Sequence, residues 1–230
     1  MDLASIMSFP KILLNLKKKL WQLRHWKRNQ QPDWVREGQL TAAGSEIRYW
    51  EEKGIHLGTN IYDRYLTAFK LSAGDLASKS IADFGCGPFG GILAIVETLT
   101  AFPIDVLADE YNNWGHSAFP VYLFDGKTIA IEDGVCDIVF CTNALDHTPN
   151  PQPSVKEIIR ILKPGGRVFL HVHLRRPYEL NKAHPVSWSV EFAHQQFAEL
   201  EVVWEKEHSN DWINDKPYRM LLSEFRKPIV

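Results

Sequence analysis

The stretch Asp83-Phe84-Gly85-Cys86-Gly87-Pro88-Phe89-Gly90-Gly91 gathers the residue types that let a backbone wrap around a ligand. Glycines there allow a sharp turn and let a ligand approach without meeting a Cβ. The first amides of a following helix would add donors and a positive dipole end. By itself the G-x-G-x-x-G spacing suits any adenosine-containing cofactor, a dinucleotide included. An acid some 20 residues further on is expected to hold the ribose hydroxyls. Asp109 fits that place, with Glu110 as its neighbouring alternative. Asp83, two residues before the first glycine, would repel a pyrophosphate and suits a cationic amino group instead.

A second group of residues has the chemistry of proton transfer. Asn143, Asp146 and His147 follow an apolar run, at the rim where open α/β sheets bind ligands. His147 reads either as a general base or as a wall of the cofactor pocket. Asp146 either orients that imidazole or faces an acceptor. His171 and His173 alternate on a strand and so share one face, with His173 nearer the rim as a substrate contact. Joined by His147 they form a possible metal set, but no carboxylate or cysteine is spaced to complete it, so no metal is expected. His184, Trp188 and His194 fall in or after the next loop; Trp188 is an acceptor-pocket wall or a core residue.

These residues need a scaffold, and hydrophobic periodicity supplies one. Helices are expected over 44–53 and 59–70, followed by short apolar strands at 81–84, 104–108, 121–124, 137–141 and 167–173. Helices are expected over 91–99, 154–162 and 187–200. The βαβ alternation predicts a parallel sheet covered on both faces. The end differs: 201–207 and 218–225 flank a polar turn and predict a hairpin, hence one antiparallel strand. The expected division is an N-terminal helical extension, 1–72, and a ligand-binding domain, 73–230.

The segment Asp137-Ile138-Val139-Phe140-Cys141-Thr142-Asn143-Ala144-Leu145-Asp146-His147 leads through a proline-rich loop to Glu157-Ile158-Ile159-Arg160-Ile161-Leu162-Lys163-Pro164-Gly165-Gly166. With the glycine turn, these residues resemble the class I S-adenosylmethionine-dependent methyltransferases, in particular the type 11 group. The resemblance covers about residues 81–174. It implies a Rossmann-like doubly wound α/β fold, a mostly parallel seven-stranded sheet with one antiparallel C-terminal strand, here with N-terminal helices added. It implies S-adenosylmethionine as methyl donor and S-adenosylhomocysteine as product. Gly85, Cys86 and Gly87 would lie along the methionine part, Asp83 would place its ammonium group, and Asp109 or Glu110 would hold the ribose. Asp125 would stand near the adenine amino group, and Asn143 would line the same pocket. In the stretch Ile129-Ala130-Ile131-Glu132-Asp133-Gly134-Val135-Cys136-Asp137, Ala130 replaces the family's proline and Cys136 its aromatic residue. Asp125-Gly126 is also readable as a plain turn.

The implied reaction is methyl transfer to a small or medium acceptor at oxygen, with a sugar or cell-surface precursor as one class. A non-catalytic methyltransferase-like partner module is the alternative. Thr142-Asn143-Ala144-Leu145-Asp146 replaces the N/D-P-P-Y/F turn of exocyclic-amine methyltransferases, and the formal net charge is −2, so nucleic acid is disfavoured. The three cysteines lack C-x-x-C spacing and read as reduced thiols. No apolar run approaches the length of a membrane span, and a cytoplasmic enzyme is expected. Residues 11–28 carry seven Lys or Arg and no acid, with leucines at helical spacing. They predict a basic amphipathic helix that either packs on the domain or meets an anionic membrane or acidic partner.

Overall fold

In the computed structural model the described residues are Glu46, Ile47, Tyr49, Trp50, 60–181 and 183–229. All of them lie within the unit Asp33–Val230. The basic segment 11–28, and most of the helix expected over 44–53, fall outside the described residues.

Helix α1 (Asn60–Ala68) and the short α2 (Ala73–Leu76) lead into strand β1 (Ser80–Phe84). Then come β2 (Thr100–Asp105), α3 (Ala108–Trp114), β3 (Tyr122–Leu123), β4 (Cys136–Thr142), α4 (Gln152–Ile161) and β5 (Leu162–His173). Helix α5 (Val190–Gln196) and the hairpin β6 (Glu201–His208) and β7 (Met220–Arg226) complete the chain. The seven strands form one sheet in the order β3-β2-β1-β4-β5-β7-β6. Neighbours from β3 to β5 are parallel, and β7 is antiparallel to both β5 and β6. This is the doubly wound sheet with one reversed strand that the sequence predicts. No described helix is long and apolar enough to cross a membrane.

Period-2 alternation divides the core into two layers. Ala82, Phe84, Val139, Cys141, Val168 and Leu170 face one side and pack with Val155, Ile158 and Ile161 of α4. Ile81, Ile138, Phe140 and Phe169 face the other and pack with Tyr65, Leu66 and Phe69 from α1 and its end. His171, two residues beyond Phe169, therefore meets α1, where its ring is 5.3 Å from that of Tyr65.

The Glu157-to-Gly166 segment has structural reasons for its residue types. Buried Glu157 accepts the Ile129 amide at 2.8 Å. Arg160 binds Glu157, the carbonyls of Ile129 and Ile131, and Asp133. Together they tie α4 to the loop before β4. The Lys163-to-Gly166 stretch bulges from the sheet: Cys136 pairs with Leu162, Ile138 with Arg167, and Gly165 takes φ 75°.

Three local expectations change. The helix expected over 91–99 is one 3₁₀ turn, Gly91–Ala94. Asp83 occupies the Ile92 amide, and Gly90 and Gly91 both have positive φ, which breaks a regular helix start. The second strand ends at Asp105 rather than at residue 108, because Asp105 accepts the Leu107 amide and turns the chain. Helix α3, unexpected from periodicity, begins straight afterwards and holds both Asp109 and Glu110.

Candidate active site

Strand β1 delivers the glycine turn to the centre of the sheet. Gly85 and Gly87 have φ of 79° and 64°. A Cβ on Gly85 would lie 2.3 Å from the Ala144 Cβ, and one on Gly91 would lie 2.0 Å from Asp83 Oδ2. The amides of Gly85, Cys86, Gly87 and Ile92 are already used inside the protein. Gly85 and Cys86 donate to the Ile104 carbonyl, Gly87 to Asp105 at 3.0 Å, and Ile92 to Asp83 at 2.6 Å. A pyrophosphate would need such donors free. The unmet group is an acceptor instead: Asp83 is 1% exposed and its Oδ1 has no hydrogen-bond partner. Burial pushes the Asp83 carboxyl up to about 7, against the opposing Ile92 hydrogen bond. Such a group calls for a donor or a cation. Burial likewise raises the Cys86 thiol well above its ordinary range, so it stays protonated.

Trp50 and Phe89 pack beside this turn with ring centroids 5.9 Å apart, and the Trp50 ring lies 3.5 Å from a Cβ built on Gly87. Burial, and then the Asp83 carboxylate, raise the Tyr62 hydroxyl, which lies at the same end of β1.

The other expected cofactor residues are distributed differently. The acid that closes β2 is Asp105, buried against the glycine turn, with its carboxyl raised by burial to about 6. Asp109 and Glu110 lie one helical turn on, half-buried in the first turn of α3. Burial raises the Glu110 carboxyl, and its Oε2 has no partner. Asp125 Oδ1 accepts the Lys127 and Thr128 amides, so this carboxylate builds a turn. Asn143 ends β4 with φ 53°, a left-handed conformation that asparagine tolerates, and its Oδ1 is buried without a partner.

Beyond β4 and β5 the fold assembles a cluster that spacing alone hides. His173 Nδ1 is 3.1 Å from Asp146 Oδ2, and its Nε2 is 2.8 Å from Asp211 Oδ2. Burial opposes charge on this imidazole, but the two carboxylates outweigh it and raise the group to about 9. With both ring nitrogens held by carboxylates, His173 anchors the cluster. His184 Nδ1 lies 3.3 Å from Asp146, and its ring is 4.2 Å from that of His147. Burial lowers His147 and keeps it neutral; its Nε2 has no partner. His171 Nδ1 is 3.4 Å from the Tyr65 hydroxyl, which accepts from Asn214. Asn214 also donates to Asp211. Asp146, His147 and His173 therefore come together. Asp105, Asp211, Tyr65 and Asn214 were not singled out by the sequence. Asp105 has a local signal, as the acid ending an apolar run; Asp211, in a polar turn, has none.

The reversed last hairpin and the glycine turn at the end of the first strand define a Rossmann-like methyltransferase fold. Residues 82–170 match the family model described as a methyltransferase domain. The ubiquinone biosynthesis O-methyltransferase of Acinetobacter baylyi is 31% identical over 118 residues, covering 46% of this chain and 48% of its own length. The chain thus spans about half the length of the curated relatives it matches. Among solved structures, an S-adenosylmethionine-dependent methyltransferase from Methanosarcina mazei aligns with a TM-score of 0.54 at 12% identity, over 72% of this chain and 98% of that one. The [4+2]-cyclase SpnF aligns equally well, with a TM-score of 0.54 at 15% identity over 74% of this chain and 80% of that one. The fold is therefore shared across chemistries, and function rests on the site.

Proposed function

We propose that this chain transfers a methyl group from S-adenosylmethionine to a hydroxyl of a small or medium acceptor. The observation that carries the reading is Asp83 Oδ1, a buried acceptor without a partner beside a glycine turn whose Gly85, Cys86 and Gly87 amides are already bonded. That arrangement fits the cationic ammonium of a methionine moiety and disfavours a pyrophosphate. Asp83 would hold the ammonium, Gly85 to Gly87 would lie along the methionine chain, and Asp105 would hold the ribose, taking over the role expected of Asp109. Asn143 and Glu110, each with a buried oxygen lacking a partner, complete the lining. When bound, the cofactor supplies an electrophilic methyl group on a sulfonium.

The acceptor side is the histidine–aspartate cluster at the ends of β4 and β5. The preference for oxygen is supported by this cluster, which offers polar partners to a hydroxyl, and by the O-methyltransferase names of the relatives. Trp188 is 2% exposed and belongs to the core beneath α5 rather than to an acceptor wall. The basic segment 11–28 is proposed as the contact with an anionic membrane or acidic partner. Deleting 1–31 should then reduce sedimentation with anionic liposomes.

Calorimetry tests the donor: S-adenosylhomocysteine should bind at micromolar concentration and NAD should not. Methyl-labelled S-adenosylmethionine should then label phenolic or sugar hydroxyls in an acceptor panel. Absence of S-adenosylhomocysteine binding overturns the reading; labelling of amines alone overturns the oxygen assignment.

A further inference from the structure

The loops beyond β4 and β5 bring three metal-ligating atoms together: Asp146 Oδ2, His173 Nδ1 and His184 Nδ1. The carboxylate oxygen stands 3.1 Å from the first nitrogen and 3.3 Å from the second. Ligands of a tetrahedral ion held at about 2.0–2.1 Å lie about 3.3 Å from one another. All three atoms fall within 4.8 Å, so a modest turn of His184, which sits on a loop, closes the set. Asp146 is 0% exposed and its Oδ1 has no partner; His184 Nδ1 makes no hydrogen bond either.

Asp211 completes the pattern from the other side. Its carboxylate is 2.8 Å from His173 Nε2, the arrangement that fixes the tautomer and orientation of a ligating imidazole. With Nε2–H given to Asp211, Nδ1 faces Asp146 and His184. A metal ion would take the place of the Nδ1 proton and stand between three buried ligand atoms. We propose that Asp146, His173 and His184 form a site for a first-row divalent metal ion, with Asp211 supporting His173. Two nitrogens and a carboxylate suit zinc, and three protein ligands leave a position open, as in catalytic rather than structural sites. A rival grouping of His171, His173 and Asp211 is looser, since His171 Nε2 lies 3.6 Å from Asp211.

The site is independent of the methyl-donor reading, and so is its test. The full chain, stripped with EDTA, is titrated with zinc by calorimetry and with cobalt by visible absorption. One zinc per chain is expected, at micromolar Kd or tighter, with cobalt d–d bands. His184→Ala and Asp146→Asn should each weaken zinc at least tenfold, and His171→Ala less than threefold. The circular dichroism and thermal transition of each variant show whether it is folded, and His184→Ala, on its loop, keeps the test valid if Asp146→Asn does not fold. No zinc binding by the wild-type chain, or binding that His184→Ala leaves unchanged, overturns the proposal. Loss on His171→Ala with retention in His184→Ala would move the ion to the rival group and overturn it too.

Discussion

Two buried carboxylates carry the proposed donor side. Asp105 closes β2 against the glycine turn, whereas Asp109 lies a turn further on in α3. Asp105→Ala is therefore expected to weaken S-adenosylhomocysteine at least tenfold by calorimetry, and Asp109→Ala less than threefold. For Asp83, the folded-state value of about 7 lies above the ordinary carboxylate value, because burial disfavours its charge. The folded chain then holds a proton between about pH 4 and 7 that the unfolded chain has released. Stability from this group is thus present at low pH and falls as pH rises towards 7, by on the order of 4 kcal/mol. Asp83→Asn should raise the Tm of the cofactor-free chain at pH 8 and change it little at pH 4. The same variant should lose S-adenosylhomocysteine affinity, and wild-type affinity should fall as pH drops below 7. Unchanged affinity in Asp83→Asn would remove the ammonium assignment.

At the scale of elements, the turn after β1 has no room for side chains. Gly85→Ala places a methyl against Ala144 in a left-handed backbone conformation. It should cost more than about 1 kcal/mol and abolish cofactor binding, as differential scanning calorimetry and titration would show. Helix α4 offers a contrasting test far from the chemistry. Glu157→Ala leaves the Ile129 amide without its partner and Arg160 without its main counter-charge. A loss of roughly 2 kcal/mol is expected, about 4–8 °C in Tm, with cofactor affinity little changed. Most elements were legible from periodicity because each strand alternates between two apolar layers. The exceptions were set by side chains bonding to the backbone. Asp105 ended β2 early through the Leu107 amide, and Asp83 took the Ile92 amide and cut the following helix to one turn.

On the scale of the whole molecule, the last hairpin closes both the sheet and the cluster. β7 covers the open edge of β5 through residues Arg167 to His173, and the turn before it carries Asp211 and Asn214. Truncation before Glu201 should leave β5 as a bare apolar edge, and size-exclusion chromatography should show aggregates in place of the monodisperse parent. The residues 81–174 by themselves determined the order of the parallel strands and the place of the glycine turn. Those features depend on local spacing: glycines at a strand end, alternation of apolar residues, and an acid two places before the turn. The tertiary structure decided which acid meets the turn and which groups surround His173. Asp146, His184 and Asp211 are separated by dozens of residues, and no spacing rule brings them together. Only the parallel crossovers and the reversed hairpin place their loops at one end of the sheet, where a carboxylate can reach each nitrogen of one imidazole.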